Sequence, residues 1–300
     1  MRFGICILPQ ADWPAAAELW RGAEEYGFDH AWTYDHLSWR DLAGERWHAT
    51  VPTLTAAAMV TERIQLGTFV ASPNYRHPVP FAKDIASVDQ IAGGRLLLGI
   101  GSGGTGWDAT VLGEPLLTPL ERFERFAEFT EALDGLLRFE DPAAAASDAP
   151  GISYEGDWYR AVNARMVGAP AQAPRMPLHV AADGPKAMAL AVRLGDGWVT
   201  TAGSVDDTEQ WWAYAGVLSR RFEDACASAG RDAATVPRTL LLDSSARYAL
   251  ASVDAFEDAV GRAATLGFTD VVAHWPREHG IYAGDRAVLD EVASRLPSLR

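Results

Sequence analysis

Eight short apolar runs alternate with longer amphipathic ones along the chain, and that alternation constrains the fold more than any other feature. The runs are FGICIL (3–8), DHAWTY (29–34), IQLGTFV (64–70), RLLLGI (95–100), PLHVAA (177–182), GWVTT (197–201), RTLLLD (238–243) and TDVVAHW (269–275). They are continuously apolar, the pattern of parallel strands buried on both faces. Helical periodicities fill the intervals. In TPLERFERFAEFTEALDGLLRF, Leu120, Phe123, Ala127, Thr130, Leu133 and Leu137 recur at three- and four-residue steps, behind Thr118 as N-cap and Pro119 in the first turn. Its aromatic stripe reads as core packing. At EEYGFDHAW, RLGDGWVT and TLGFTDVV a glycine (Gly27, Gly195, Gly267) closes a helix just before a strand, as a left-handed cap requires. The expected fold is α/β: a (β/α)8 TIM barrel as a single domain over 1–300, with an insertion at about 140–176 between strands four and five. That insertion holds the low-complexity stretch PAAAASDAP (142–150), a surface connection, and the hairpin-like ISYEGDWYRAVNARM, which covers either the pocket or a neighbouring subunit.

Gly99, Gly101 and Gly104 in RLLLGIGSGGTGW spell G-x-G-x-x-G after the fourth strand. A dinucleotide fingerprint opens a helix at once and has an acidic residue at the end of the next strand. Here GTGWDATVLGEPLL, about fourteen residues, precedes the helix, so the nicotinamide reading fails on position. Glycines after a barrel strand still imply close approach of the backbone to something at the catalytic face.

Other classes fall away on composition. A net charge of −14 repels nucleic acid phosphates and anionic lipid, so neither is an expected partner. Cys6 and Cys226 form no C-x-x-C and read as buried thiols of a reducing compartment. No signal peptide or membrane-length apolar run is visible, and a cytoplasmic location is expected. HWPREH (274–279) misses zinc-motif spacing and carries Pro276; there is neither a G-x-S-x-G elbow nor a P-loop.

In a barrel the chemistry sits at the C-terminal strand ends. There Asp35 and His36 are the best polar pair for proton exchange with a substrate, against the plainer reading of a histidine bonded to a loop carbonyl. His48, His77 and His179 read as structural. AADGPKAMAL (181–190) resembles an anion site at a helix start, or an ordinary turn capped by Asp183.

These strand ends, in order, resemble the bacterial luciferase-like superfamily of flavin- and deazaflavin-dependent oxidoreductases. TYDHL, LGTFVASPNYRHPVPFAKDIASVDQIAGGRLLLGIGSG, ERF and LHVAADGPKAMALAVRLGDGW carry the resemblance, which runs along nearly the whole chain. It implies a non-proline cis peptide at Phe69–Val70 against the cofactor ring, and Asp35 and His36 beside ring and substrate. It implies Ser102 and Gly103 close under the cofactor, and Ala181, Ala182, Asp183, Gly184 and Pro185 holding its phosphate. Within the superfamily the pattern looks most like the branch using the 5-deazaflavin F420; FMN with a partner flavin reductase, giving a monooxygenase, is the alternative. A non-enzymatic flavin-binding protein is a third reading. The sugar-phosphate branch has a carboxylate where Gly104 stands and a lysine where Ser204 stands, which argues against glucose 6-phosphate as substrate. Trp39, Trp47 and Trp107 suggest an aromatic-walled pocket for a small molecule, or else packing of loops or a subunit interface. A homodimer is the family's usual assembly.

Overall fold

The computed structural model describes residues 1–139 and 150–300. Positions 142–149 of the low-complexity stretch therefore lie outside the described residues.

Eight parallel strands close a barrel: β1 (Arg2–Cys6), β2 (His30–Thr33), β3 (Gln65–Thr68), β4 (Leu96–Ile100), β7 (Leu178–Ala181), β8 (Gly197–Thr200), β9 (Arg238–Leu241) and β10 (Asp270–His274). Their order around the barrel is that of the chain, with β10 pairing β1 from Arg2↔Asp270 to Cys6↔His274. Outside run α1 (Trp13–Glu25), α2 (Thr50–Val60), α3 (Pro78–Ile91), α4 (Pro119–Leu137), α5 (Pro185–Leu194), α6 (Thr208–Ser228), α7 (Val253–Thr265) and α8 (Arg286–Leu299). The (β/α)8 barrel expected from the alternation is what forms. The inserted hairpin forms as well, as β5 (Ile152–Glu155) antiparallel to β6 (Arg160–Ala164). It is pinned to α4, where the Glu128 carboxylate accepts the N–H groups of Trp158 and Tyr159. No described helix is long and apolar enough to cross a membrane.

Two local expectations need correction. In α4 the buried face is Phe126, Phe129, Thr130, Leu133, Leu136 and Leu137, whereas Leu120 is half exposed. The fully buried stripe therefore begins at Phe126, past the first turn. Gly27 and Gly267 are left-handed, but Gly195 has φ −76°. A Cβ there would stand 2.6 Å from the Ala191 carbonyl oxygen, so close approach selects this glycine.

Inside the N-terminal end of the barrel lies a polar and aromatic layer. The rings of His30, Trp32 and His179 occupy space left by Gly4, Gly67 and Gly197, where a Cβ would meet those rings at 2.2, 2.4 and 2.7 Å. Trp32 Nε1 donates to His30 Nδ1 at 2.6 Å, and His30 Nε2 lies 3.0 Å from Asp270. Burial pushes the Asp270 carboxyl up, but His30 and Arg2 outweigh it and hold it down at about 2. His179 Nδ1 has no partner among the described residues, and burial depresses this imidazole to about 4. A neutral imidazole that resists protonation when folded contributes stability that is whole above its unfolded pKa. That contribution is lost as pH falls from roughly 6.5 toward 4, about 3 kcal/mol in total. The urea midpoint should therefore drop across that window, and His179→Phe should flatten the drop; an unchanged slope would contradict this assignment.

Candidate active site

A cavity of about 860 Å3 opens at the C-terminal strand ends, within the size range of small-molecule and cofactor sites. Its floor is built where β3 meets β4. The Phe69–Val70 peptide is cis, as expected, and Phe69 and Val70 line the cavity. On either side of it, Thr68 Oγ1 and the Ala71 N–H both donate to the Gly99 carbonyl, at 2.6 and 2.8 Å. A Cβ on Gly99 would sit 2.0 Å from the Thr68 carbonyl oxygen, so only glycine lets the strands approach this closely. Gly103 has φ 78°, and its Cβ would meet the Asn74 amide at 2.6 Å. Asn74 is itself held, accepting from Arg125 at 2.5 Å and donating to the Gly104 carbonyl at 3.2 Å. The glycines of the sequence motif thus leave bare backbone from Gly101 to Gly104 facing the cavity, with Ser102 among the lining residues.

Opposite lies the start of α5. Ala181, Ala182, Asp183, Gly184 and Ala187 line the cavity, and Pro185 does not. Pro185 instead occupies the first helical position, and Gly184 is the N-cap, without a side-chain cap bond. Asp183 is therefore not the cap. Its carboxylate accepts from the Thr200 hydroxyl at 2.6 Å, while burial pushes its pKa up. The backbone N–H groups of the first turn of α5 have no helical acceptor.

The Asp35–His36 pair is split. Asp35 is 1% exposed and does not line the cavity. It accepts two bonds from Arg76, at 2.8 and 2.5 Å, and one from the Tyr75 hydroxyl at 2.8 Å. Asp35 thus anchors the approach to α3, while His36 lines the cavity. The carboxylate beside His36 is Asp108, which sequence reasoning missed. His36 Nδ1 lies 2.6 Å from Asp108 Oδ2, and Oδ1 accepts the N–H groups of Leu37 and Ser38 at 3.0 and 3.3 Å. Asp108 sits on the long loop between β4 and α4, 72 positions from His36, a separation with no local signal. Acceptance by the carboxylate leaves hydrogen on Nδ1 and turns Nε2 toward the cavity.

Aromatic rings wall the remaining side. Trp39 stacks on Trp47 and on Tyr282, and Tyr34 meets Trp39 edge-on at 5.1 Å. Trp39 and Trp107 line the cavity as expected, whereas Trp47 backs Trp39 without lining it. Among the described lining residues Arg40 is the one Lys or Arg, with its guanidinium over the Trp39 ring.

The parallel barrel carries its cavity at the C-terminal strand ends, between the Phe69–Val70 peptide, the glycines after β4 and the His36–Asp108 pair. The chain belongs to the luciferase-like family: residues 1–286 match the description "luciferase-like monooxygenase", a class of oxidoreductases. It is 39% identical over 183 residues to an F420-dependent glucose-6-phosphate dehydrogenase of Beutenbergia cavernae, covering 60% of this chain and 50% of that protein. It is 32% identical over 250 residues to an F420-dependent hydroxymycolic acid dehydrogenase of Mycobacterium tuberculosis, covering 82% of this chain and 61% of that one. The matched part therefore spans about half to three fifths of these relatives' length. The solved structure of an F420-dependent secondary alcohol dehydrogenase superposes with a TM-score of 0.81 at 17% identity, covering 100% of this chain and 99% of that one, which shows the fold.

Proposed function

We propose that this protein is an F420-dependent oxidoreductase that moves a hydride between the deazaflavin and a small, uncharged organic substrate. The observation that carries this reading is the cavity floor, where Gly101, Ser102, Gly103 and Gly104 line the cavity beside Phe69 and Val70. The names of the related dehydrogenases favour the deazaflavin over FMN. Val70, Ser102 and Gly103 would hold the ring, and the Ala181–Gly184 strip with the first turn of α5 would face the cofactor's phosphate tail. When bound, a deazaflavin accepts or delivers hydride at carbon and does not activate oxygen as reduced FMN does. His36, through Nε2, gives, takes or positions the substrate proton, and Asp108 fixes its tautomer. Arg40 is the one Lys or Arg among the described lining residues, and position 204 is serine. The site therefore has no clamp for a sugar phosphate and suits an uncharged compound against Trp39 and Tyr282.

The test is a spectral assay under argon and under air. Incubation with F420 and uncharged alcohols, or with reduced F420 and imines or activated alkenes, should change the deazaflavin absorbance equally in both gases. Oxygen uptake that depends on reduced FMN, or a protein purified with FMN bound, would reassign it to the oxygenating branch.

A further inference from the structure

His36 is not the only imidazole within reach of the cavity. His274, the last residue of β10, is fully buried between Asp243 and Tyr34. Asp243 Oδ2 accepts the His274 backbone N–H at 2.5 Å and lies 3.0 Å from Nδ1, and Oδ1 accepts the Ala249 N–H at 2.7 Å. A carboxylate only accepts, so the imidazole hydrogen is on Nδ1 and Nε2 is bare. Nε2 lies 2.8 Å from the Tyr34 oxygen, so the Tyr34 hydroxyl donates to it, and the Tyr34 oxygen in turn accepts from its other partner, the Tyr282 hydroxyl. Tyr34 and Asp243 line the cavity; His274 does not.

The surroundings hold this chain in place. The Tyr282 ring stacks on His274 at 3.6 Å and 7°, from a backbone at φ 63°. That left-handed conformation is costly for an aromatic residue and persists where the surrounding structure enforces it. Tyr248 donates to the His274 carbonyl at 2.8 Å. The titratable groups facing the chain are Cys6, Tyr282, Tyr248 and, across the Tyr34 ring at 6.0 Å, His36. Burial raises the Tyr34 phenol and the Cys6 thiol well above their ordinary ranges, so both are neutral near pH 7. A buried acid–imidazole–phenol chain carries a desolvation cost that an apolar cluster of the same volume would not, and this one opens on the cavity.

We propose that Asp243, His274 and Tyr34 form a proton relay ending at the cavity, and that the substrate group it serves is an alcohol or the corresponding carbonyl. The proposal rests on the deazaflavin oxidoreductase reading above. In the oxidising direction the substrate hydroxyl gives its proton to the Tyr34 oxygen as the Tyr34 proton passes to His274 Nε2. The adjacent C–H bond breaks, its hydrogen and electron pair leave as hydride to the bound deazaflavin, and C=O forms. Asp243 stabilises the imidazolium, and reduction runs the same steps backward. The proton leaves through Tyr34, and His36, whose ring lies 6.0 Å from that of Tyr34, holds the substrate oxygen through Nε2 so that the transfer can occur.

Two measurements test the relay. Nitrogen-15 spectra of the histidine-labelled protein without ligand report the His274 tautomer. Hydrogen on Nδ1 with a bare Nε2 at pH 7 is expected; hydrogen on Nε2 overturns the relay, because Tyr34 would then face a donor. The second is oxidation of cyclohexanol by F420, and reduction of cyclohexanone by its reduced form, with Tyr34→Phe and Asp243→Asn proteins that melt as the native one does. Tyr34→Phe should lower kcat about 100-fold with little change in KM, and should remove the solvent isotope effect. Native kcat and isotope effect in Tyr34→Phe overturn the relay. Native protein that binds F420 and turns over neither probe overturns the substrate class. Failure of the native protein to bind F420 strikes the cofactor reading instead, and the tautomer then decides the relay alone.

Discussion

His36→Asn is expected to lower turnover about 100- to 10,000-fold, the range of a positioned acid–base group, while F420 affinity stays within a factor of two or so of native. Asparagine can place its amide nitrogen where Nδ1 stands and keep the bond to Asp108, so the loop between β4 and α4 keeps its anchor. What is lost is Nε2 and its proton. Asp108→Asn gives a diagnostic companion. It leaves the imidazole in place but exchanges a carboxylate for an amide that can donate, which removes the bias toward hydrogen on Nδ1. Its kcat should fall less than that of His36→Asn. Native turnover in His36→Asn would remove this residue from the reaction.

The largest loss of stability should come from Arg76. Asp35 is 1% exposed, and Arg76, with its side chain 14% exposed, supplies two of the three hydrogen bonds the carboxylate accepts from side chains. Removing one partner of a buried pair leaves a charge in the interior and costs about 3–5 kcal/mol. The Arg76 guanidinium also lies 4.3 Å from the Phe81 ring centroid, so Arg76→Ala loses packing as well. Urea unfolding of Arg76→Ala against Arg76→Ala with Asp35→Asn isolates the charge, because both variants lose the same packing on Phe81. The double variant removes the stranded charge and should recover most of the loss. Equal destabilisation in both would mean that the ion pair is not what holds the strand-two loop.

The barrel itself was legible because parallel strands buried on both faces write themselves as apolar runs, from FGICIL to TDVVAHW. The cavity floor was legible for a related reason. Gly99, Gly101 and Gly103 are dictated by close approach or by φ, and such backbone demands leave few alternatives. The side-chain partners were not. Asp35 and Asp108 are both aspartates after barrel strands, and nothing local tells which one meets His36; the choice is made by a loop that folds back over 72 positions. The same holds for Asp243, His274 and Tyr34, which lie on three strand ends distant in sequence and adjacent only once the barrel closes through β10 and β1. Asp183 misled for a different reason: it has the sequence of an N-cap, but the helix begins one residue later and the carboxylate turns to Thr200.

The central claim is that the cavity over Phe69–Val70 is a deazaflavin site. Its most direct test is a titration of the ligand-free protein with F420 and, separately, FMN, following tryptophan fluorescence, since Trp39 and Trp107 line the cavity. Saturable quenching by F420 at concentrations where FMN has no effect is the predicted result. Preference for FMN, or binding of neither, would contradict it.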